Sequence, residues 1–222
     1  MKKFLYLLIF FTVSLSAQNS KSKYWLDPEG REISREEKNF LMDKYPDNSL
    51  AFRKTKDSGY VYQFNAPKYS TYKVDYKIIK TEIEKITNRV HSDSTIFLIN
   101  YNYLDDNCSD WFLNKLSSEI INDRKTFIEP LKKGIEYKSN VIYLALFENG
   151  IVLKNKPKSK KEYFFSDQNN FFRSNLFLNP TLCGSFGLIK PNGETLIRNG
   201  EYRPDNMYEH LKPKIWDLIF QQ

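Results

Sequence analysis

The spacing of apolar residues predicts that helices and strands alternate along most of the chain. An apolar face at helical spacing predicts an amphipathic helix over 74–90. Two mostly apolar runs, 95–101 and 141–147, are typical of strands that are buried on both faces of a sheet. From residue 74 the predicted elements therefore alternate between helices and strands, as in α/β proteins.

Helical spacing resumes between these two strands. It begins at Trp111, and the polar pair Asn122 and Asp123 predicts a break before the helix continues to about Lys133. Pro130 is expected to kink the second part, because proline lacks the amide hydrogen that a helix interior needs.

The last part of the chain predicts two further helices and a hairpin. Residues 166–177 have the spacing of a helix. The turn 190–193 contains Pro, Asn and Gly in sequence, so the flanking segments 186–189 and 194–198 are predicted to be strands that pair as a hairpin. A single helix over 205–219 is expected to follow.

The N-terminal part carries signals for a smaller unit. Residues 24–26 predict a short strand. Ser34 and Glu37 have the spacing of a capping box, in which each side chain accepts the other residue's backbone amide, so a helix is predicted from there to about Lys44. Two more strands are expected on either side of the turn 57–59.

The first residues have the pattern of an export signal. Lys2 and Lys3 precede an apolar run over 4–13, and the small residues at 14–17 offer a cleavage site. The apolar run is shorter than the ~20 residues that span a bilayer. We therefore expect a signal peptide over 1–17 and a mature protein that is periplasmic or extracellular and not integral to the membrane. A retained membrane anchor is the alternative.

Net charge narrows the choice of partners. The formal net charge is +7, with acidic residues interspersed along the chain. Nucleic-acid binders usually concentrate positive charge on one face, so no nucleic-acid partner is expected. The densest basic run, 154–161, is interrupted by a proline and is interpreted as a solvated loop. Contact of this loop with anionic surface polymers is the alternative.

The chain has two cysteines, Cys108 and Cys183. In an oxidising compartment an even number of cysteines favours a disulfide. Three interpretations remain open from the residues alone: a structural disulfide, a redox-active pair, and two separate thiols.

Other site chemistries have little support. His91 and His210 lack metal-ligand spacing, and the three aspartates Asp105, Asp106 and Asp110 lack the spacing of a calcium loop. The sequence contains no nucleophile-elbow motif and no phosphate-binding glycine loop. We expect neither a metal nor a cofactor.

From residue 60 onward, three segments resemble parts of the thioredoxin fold. Residues 97–101 resemble the strand that carries the family's active-site loop, 130–133 the kinked helix after that loop, and 187–194 the later hairpin. The similarity is to exported bacterial thioredoxin-like proteins related to disulfide reductases. It implies a three-layer sandwich, with helices on both faces of a central mixed sheet.

The same resemblance implies a strand order. Right-handed crossovers would place strand 95–102 between strand 141–147 and strand 186–190.

Two departures from the family bear on function. The paired-cysteine motif is replaced by the segment 105–108, and the aspartates there should raise the pKa of the Cys108 thiol by repelling its thiolate. The family's cis-proline is missing before the hairpin, where 183–185 stand instead.

In the thioredoxin fold those two loops lie side by side. The resemblance therefore implies that Cys108 and Cys183 are within bonding reach. A structural disulfide is the first hypothesis, and a non-adjacent redox pair is the second.

These observations predict three segments: a signal peptide over 1–17, a small α+β extension over 18–59 and a thioredoxin-like domain over 60–222. The predicted function is a binding or structural module of the cell envelope, stabilised by the disulfide, whose protein or envelope partner is unknown. The alternative is an atypical thiol–disulfide oxidoreductase that uses Cys108 and Cys183.

Overall fold

The structure is a computed structural model that describes residues 23–27, 31–44, 48–54, 60–106, 108–109, 113–138 and 140–220. The predicted signal peptide lies outside the described residues, and so do the turn 57–59 and Trp111.

Within these residues the chain forms twelve strands and six helices. The strands are β1 Lys23–Leu26, β2 Glu32–Ile33, β3 Asn48–Lys54, β4 Tyr60–Pro67, β5 Tyr69–Lys73, β6 Ile96–Asn102, β7 Lys115–Leu116, β8 Val141–Glu148, β9 Val152–Leu153, β10 Phe164–Asp167, β11 Ser185–Ile189 and β12 Glu194–Asn199. The helices are α1 Arg35–Lys44, α2 Tyr76–Thr87, α3 Ser118–Lys138, α4 Phe171–Asn175, α5 Pro204–Glu209 and α6 Pro213–Phe220.

A six-stranded mixed sheet forms the centre of the protein, in the order β10-β8-β6-β11-β12-β5. Strand β6 is parallel to β8 and antiparallel to β11. The predicted position of 95–102 between 141–147 and 186–190 is therefore confirmed.

Helices cover both faces of this sheet. One apolar cluster joins the sheet to α3, α5 and α6 through residues such as Ile128, Met207 and Trp216. The other joins it to α2 and α4 through residues such as Ile83 and Phe172. The expected α/β architecture, a central mixed sheet between two helical layers, is confirmed.

The N-terminal part forms a separate four-stranded sheet, in the order β2-β1-β4-β3. Helix α1 begins at the predicted capping box: Ser34 N donates to Glu37 Oε2 over 2.7 Å, and Glu37 N donates to Ser34 Oγ over 3.1 Å. Strand β4 pairs in this small sheet and β5 in the central one. The boundary between residues 59 and 60 stays a prediction.

Helix α3 differs from the sequence prediction. It runs without a break through Asn122 and Asp123 and continues past Gly134 to Lys138. Ile121 and Ile128 are buried on one face, and packing of that face outweighs the small helix penalty of two exposed polar residues. The kink at Pro130 stays a prediction.

The helix predicted over 166–177 is wrong in its first half. Residues 164–167 form β10, which pairs in parallel with β8 at the edge of the sheet. Only residues 171–175 are helical. Asp167 at the end of β10 is fully buried, and its carboxylate accepts a hydrogen bond from Arg173 N in that helix over 3.0 Å.

The single helix predicted over 205–219 is also wrong. The chain forms α5 and α6 instead, and Pro213 is the first residue of α6. Proline disfavours helical conformation in the residue before it but is well suited to a first helical turn.

The predicted hairpin of β11 and β12 is confirmed. Gly193 in its turn has φ +83°, and a Cβ there would collide with the carbonyl oxygen of Val74. Gly193 O in turn accepts a hydrogen bond from Val74 N over 2.9 Å. Only glycine satisfies both the backbone conformation and this close contact.

Candidate functional site at the disulfide

The disulfide joins two loops at one edge of the central sheet. Cys108 follows the end of β6, and Cys183 precedes the start of β11. Because the two strands are antiparallel neighbours with Tyr101 opposite Ser185, both loops emerge side by side. Cys108 and Cys183 are disulfide-bonded, with their Cα atoms 5.0 Å apart. The predicted disulfide is therefore present.

The carboxylate of Asp106 holds the two loops together. It accepts hydrogen bonds from Cys108 N over 3.0 Å, Cys183 N over 3.2 Å and Gly184 N over 2.8 Å. Cys183 and Gly184 both have positive φ, 64° and 73°, and successive amides in such a turn form a nest that binds an anionic oxygen. The side chain thus acts as an acceptor bridge across the disulfide.

Burial sets the protonation of this bridge. Asp106 is only 4% exposed. Burial raises the pKa of its carboxyl to about 6, although the three amides and the positive charge of Arg124 act in the opposite direction. The carboxyl therefore titrates close to the mildly acidic range.

Arg124 of α3 places a positive charge beside the same loops. Its side chain is 2% exposed, and it donates to Asn102 Oδ1 over 2.8 Å. The guanidinium also lies over the ring of Phe147, at 5.1 Å from the centroid. Burial lowers the pKa of Arg124 to about 10, so it remains a cation at neutral pH.

Three buried hydroxyls complete the hydrogen bonding behind Cys183. Tyr103 Oη donates to Ser185 Oγ over 3.0 Å, and Ser185 Oγ is 3.0 Å from Thr181 Oγ1. Thr181 Oγ1 also donates to Gly184 O over 2.7 Å and accepts from Gly200 N over 2.9 Å. The segment 181–185 is therefore fixed by hydrogen bonds as well as by the disulfide.

A cavity of about 380 Å³ adjoins the disulfide on the α3 side. Its lining includes Cys183, Arg124 of α3 and Asn100 of β6, together with Tyr202 and Arg203 from the segment before α5. The volume lies within the range of small-ligand sites. Arg203 pairs with Asp205 over 2.8 Å. The cavity thus offers one buried cation, Arg124, and the amide side chains of Asn100 and Asn206.

The sequence predicted only part of this site. Cys108 and Cys183 are brought together as expected, and Asp106 adjoins Cys108 as expected. The sequence did not predict that the Asp106 carboxylate accepts hydrogen bonds from three backbone amides. Arg124 and Asn102 were missed, although each is a polar residue at an apolar position of its element, which is an available signal.

The exposure of the two cysteines and the charge beside them bear on thiol exchange at this disulfide. Cys183 is 8% exposed, and Cys108 is partly exposed. Thiol exchange requires an accessible sulfur and a stabilised thiolate. A carboxylate bonded to the amide of Cys108 disfavours its thiolate.

Comparison of the chain with protein-family models, with curated proteins and with solved structures found no match. Among the described residues, no helix combines the length and the apolar character needed to cross a membrane. The functional assignment therefore depends on the site itself.

Proposed function

We propose that this chain is an exported thioredoxin-like protein without thiol catalysis, which acts as a binding module of the cell envelope through the cavity beside a structural disulfide. The strand order β8-β6-β11-β12, with helices between β6 and β8 and after β12, supports the thioredoxin-like assignment. The disulfide supports export, because such bonds persist in oxidising compartments.

One observation carries the non-catalytic part of the proposal. The carboxylate of Asp106 binds the amides of both bonded cysteines, so the disulfide belongs to a buried network rather than to an exposed helix N-terminus. A catalytic pair needs a stabilised thiolate, whereas this arrangement places a carboxylate beside it.

A redox titration of the protein that begins at residue 18, with thiols counted by mass spectrometry, tests this. We expect a reduction potential below about −300 mV, the range of structural disulfides, and no insulin-reductase activity. Asp106→Ala should raise the reduction potential of the disulfide, because the two loops lose their common hydrogen-bond acceptor. Asp105→Asn, which changes the exposed neighbouring residue, should leave the reduction potential unchanged. Ready equilibration of the wild-type pair with glutathione would contradict the proposal.

N-terminal sequencing of secreted material tests export separately. Cleavage near the small residues at 14–17 should yield a chain that begins at Ala17 or Gln18. Recovery of an intact Met1 terminus in the membrane fraction would end that part of the proposal.

An atypical thiol–disulfide oxidoreductase is the second candidate. The observation that favours it is the position of Cys183 in the cavity wall, where a small thiol has a route toward the bond. Insulin-reductase activity that is lost in Cys183→Ser would establish this function.

A further inference from the structure

A second and larger cleft, of about 890 Å³, lies between α3 and the basic loop 154–161. It shares no lining residue with the cavity at the disulfide. Helix α3 contributes to both, with Arg124 in the cavity and Lys125 in the cleft. The two are therefore separate sites.

The basic loop is held in place as a wall of this cleft. Ser118 Oγ donates to Lys154 O over 2.8 Å, and Asn155 Nδ2 donates to Phe164 O over 2.8 Å. Farther along, Arg89 donates to Ser159 O over 2.9 Å. The short strands β7 and β9 pair next to the loop. The expectation of a merely solvated loop is therefore incomplete, because hydrogen bonds tie the loop to three other segments.

The charges around the cleft do not balance. Glu162, 3% exposed, pairs with Lys125 over 2.6 Å and also accepts the amides of Tyr163 and Phe164 over 2.9 Å. The negative charge of Glu162 is therefore compensated by Lys125 and by these two amides, not by the lysines of the loop.

Three further lysines line the cleft: Lys154, Lys156 and Lys161. No ion pair among the described residues involves any of them. Like charges on a fixed loop repel one another, so an anion in the cleft would relieve that repulsion.

Neutral polar groups lie among the lysines. Asn122 and Thr126 line the cleft from α3, and Ser159 lines it from the loop. Hydroxyl and amide side chains both donate and accept hydrogen bonds, as the hydroxyls of a sugar do. Ser118 in the first turn of α3 adds the positive end of a 21-residue helix to the same space.

Tyr163 lines the cleft next to Glu129, the second carboxylate in the lining. The tyrosine is 2% exposed. Burial, the charge of Glu129 and a hydrogen bond with that carboxylate raise the pKa of the tyrosine hydroxyl, so it remains a donor. Glu129 also pairs with Lys133 over 3.5 Å. The negative charge of Glu129, like that of Glu162, is therefore engaged within the protein and does not neutralise the three lysines.

We infer that this cleft binds an anionic saccharide. Its phosphate, sulfate or carboxylate group lies at the lysines, which bind such groups as point charges, and its ring hydroxyls lie at Asn122, Thr126 and Ser159. The volume is that of a small-ligand site. A free sugar phosphate and a unit of an envelope polysaccharide share this chemistry.

Calorimetric titration of the protein beginning at residue 18 tests the inference. The probes are glucose 6-phosphate, a heparin hexasaccharide, the neutral maltohexaose and single-stranded oligothymidylate. Two double variants with equal charge change are compared. K154Q/K161Q removes two lysines that line the cleft, and K158Q/K160Q removes two from the same loop that do not. Thermal unfolding confirms that both variants are folded.

At least one anionic saccharide should bind, maltohexaose should not, and binding should weaken as ionic strength rises. K154Q/K161Q should weaken binding by about tenfold and K158Q/K160Q by less than about twofold. Tighter binding of glucose 6-phosphate would identify a free sugar phosphate as the ligand, and tighter binding of the hexasaccharide a polymer.

Three results would overturn the inference. Equal weakening by the two double variants would show diffuse attraction rather than a site. Oligothymidylate that binds as tightly as the saccharides would show a general polyanion surface. Absence of binding by both anionic saccharides would show that the cleft has another role.

Discussion

At the disulfide, the buried carboxylate of Asp106 faces three backbone amides and the nearby charge of Arg124. In the cleft between α3 and loop 154–161, by contrast, three lysines gather without a carboxylate paired to them among the described residues. At the first site the carboxylate and the three amides satisfy one another and so contribute stability. Those at the second remain available, which is the condition for binding a ligand.

Removing the disulfide is expected to produce the largest effect. The bond closes a loop of 75 residues, so Cys108→Ser with Cys183→Ser should lower the free energy of unfolding by roughly 4 kcal/mol. Urea unfolding measures this, and the wild type with its thiols reduced and alkylated should show a similar loss. A loss below about 1 kcal/mol would mean that hydrogen bonds alone hold the loops.

Removing the acceptor bridge should have the next largest effect. Asp106→Ala leaves three amides without their acceptor and should cost about 3 kcal/mol. Asp105→Asn is the matched control, because Asp105 is exposed and its hydrogen bonds to Asn114 can be kept by an amide. It should stay within about 0.5 kcal/mol of the wild type. Equal losses in the two variants would contradict the role assigned to Asp106.

The pH dependence of stability isolates the charge of Asp106. Because its pKa is raised to about 6 in the folded protein, folding takes up a proton between that pH and the lower pKa of the unfolded chain. This contribution is therefore present at low pH and is lost as pH rises through about 6. Wild type should gain about 2 kcal/mol relative to Asp106→Asn as pH falls from about 7 to about 4. Urea unfolding across this range measures the difference, and parallel curves for the two proteins would refute it.

The smallest expected effect has the opposite sign. Removing two cleft lysines in K154Q/K161Q should leave stability unchanged or raise it by about 0.5 kcal/mol, because repulsion decreases. The gain should fade at high salt. Urea unfolding at low and high ionic strength checks this. A loss above about 1 kcal/mol would mean that the lysine side chains hold the loop and would weaken the contrast between the two sites.

Elements whose pattern is set by burial could be predicted from the sequence. Strands β6 and β8 are continuous apolar runs because both faces are covered, and α2 shows its buried face at helical spacing. Strand β10 was missed because it has only four residues, and its last two, Ser166 and Asp167, were assigned to the helix that follows. Its pairing with β8 is a tertiary contact that no local pattern reveals.

The same limit applies to the two sites. The two cysteines could be named because their chemistry is rare in the chain. The position of Arg124 among the apolar residues of α3 is a signal in the sequence, but neither Arg124 nor Tyr163 reveals there which groups, distant in sequence, it contacts when buried. The basic loop was visible as a run of charge, but the hydrogen bonds that turn it into a wall come from Ser118 and Arg89, far along the chain.

The disulfide also determines how the protein would carry a mechanical load. A force applied to the two ends of the chain would pass from β6 through the Cys108–Cys183 bond directly into β11. The segment between the cysteines, which spans a sequence separation of 75 and includes α3, β8 and the whole lysine cleft, would carry none of it. At about 3.3–3.6 Å for each extended residue, roughly 250 Å of chain is withheld from stretching while the bond is oxidised. A ligand in that cleft would stay bound within an unloaded segment even as the flanking strands were pulled apart.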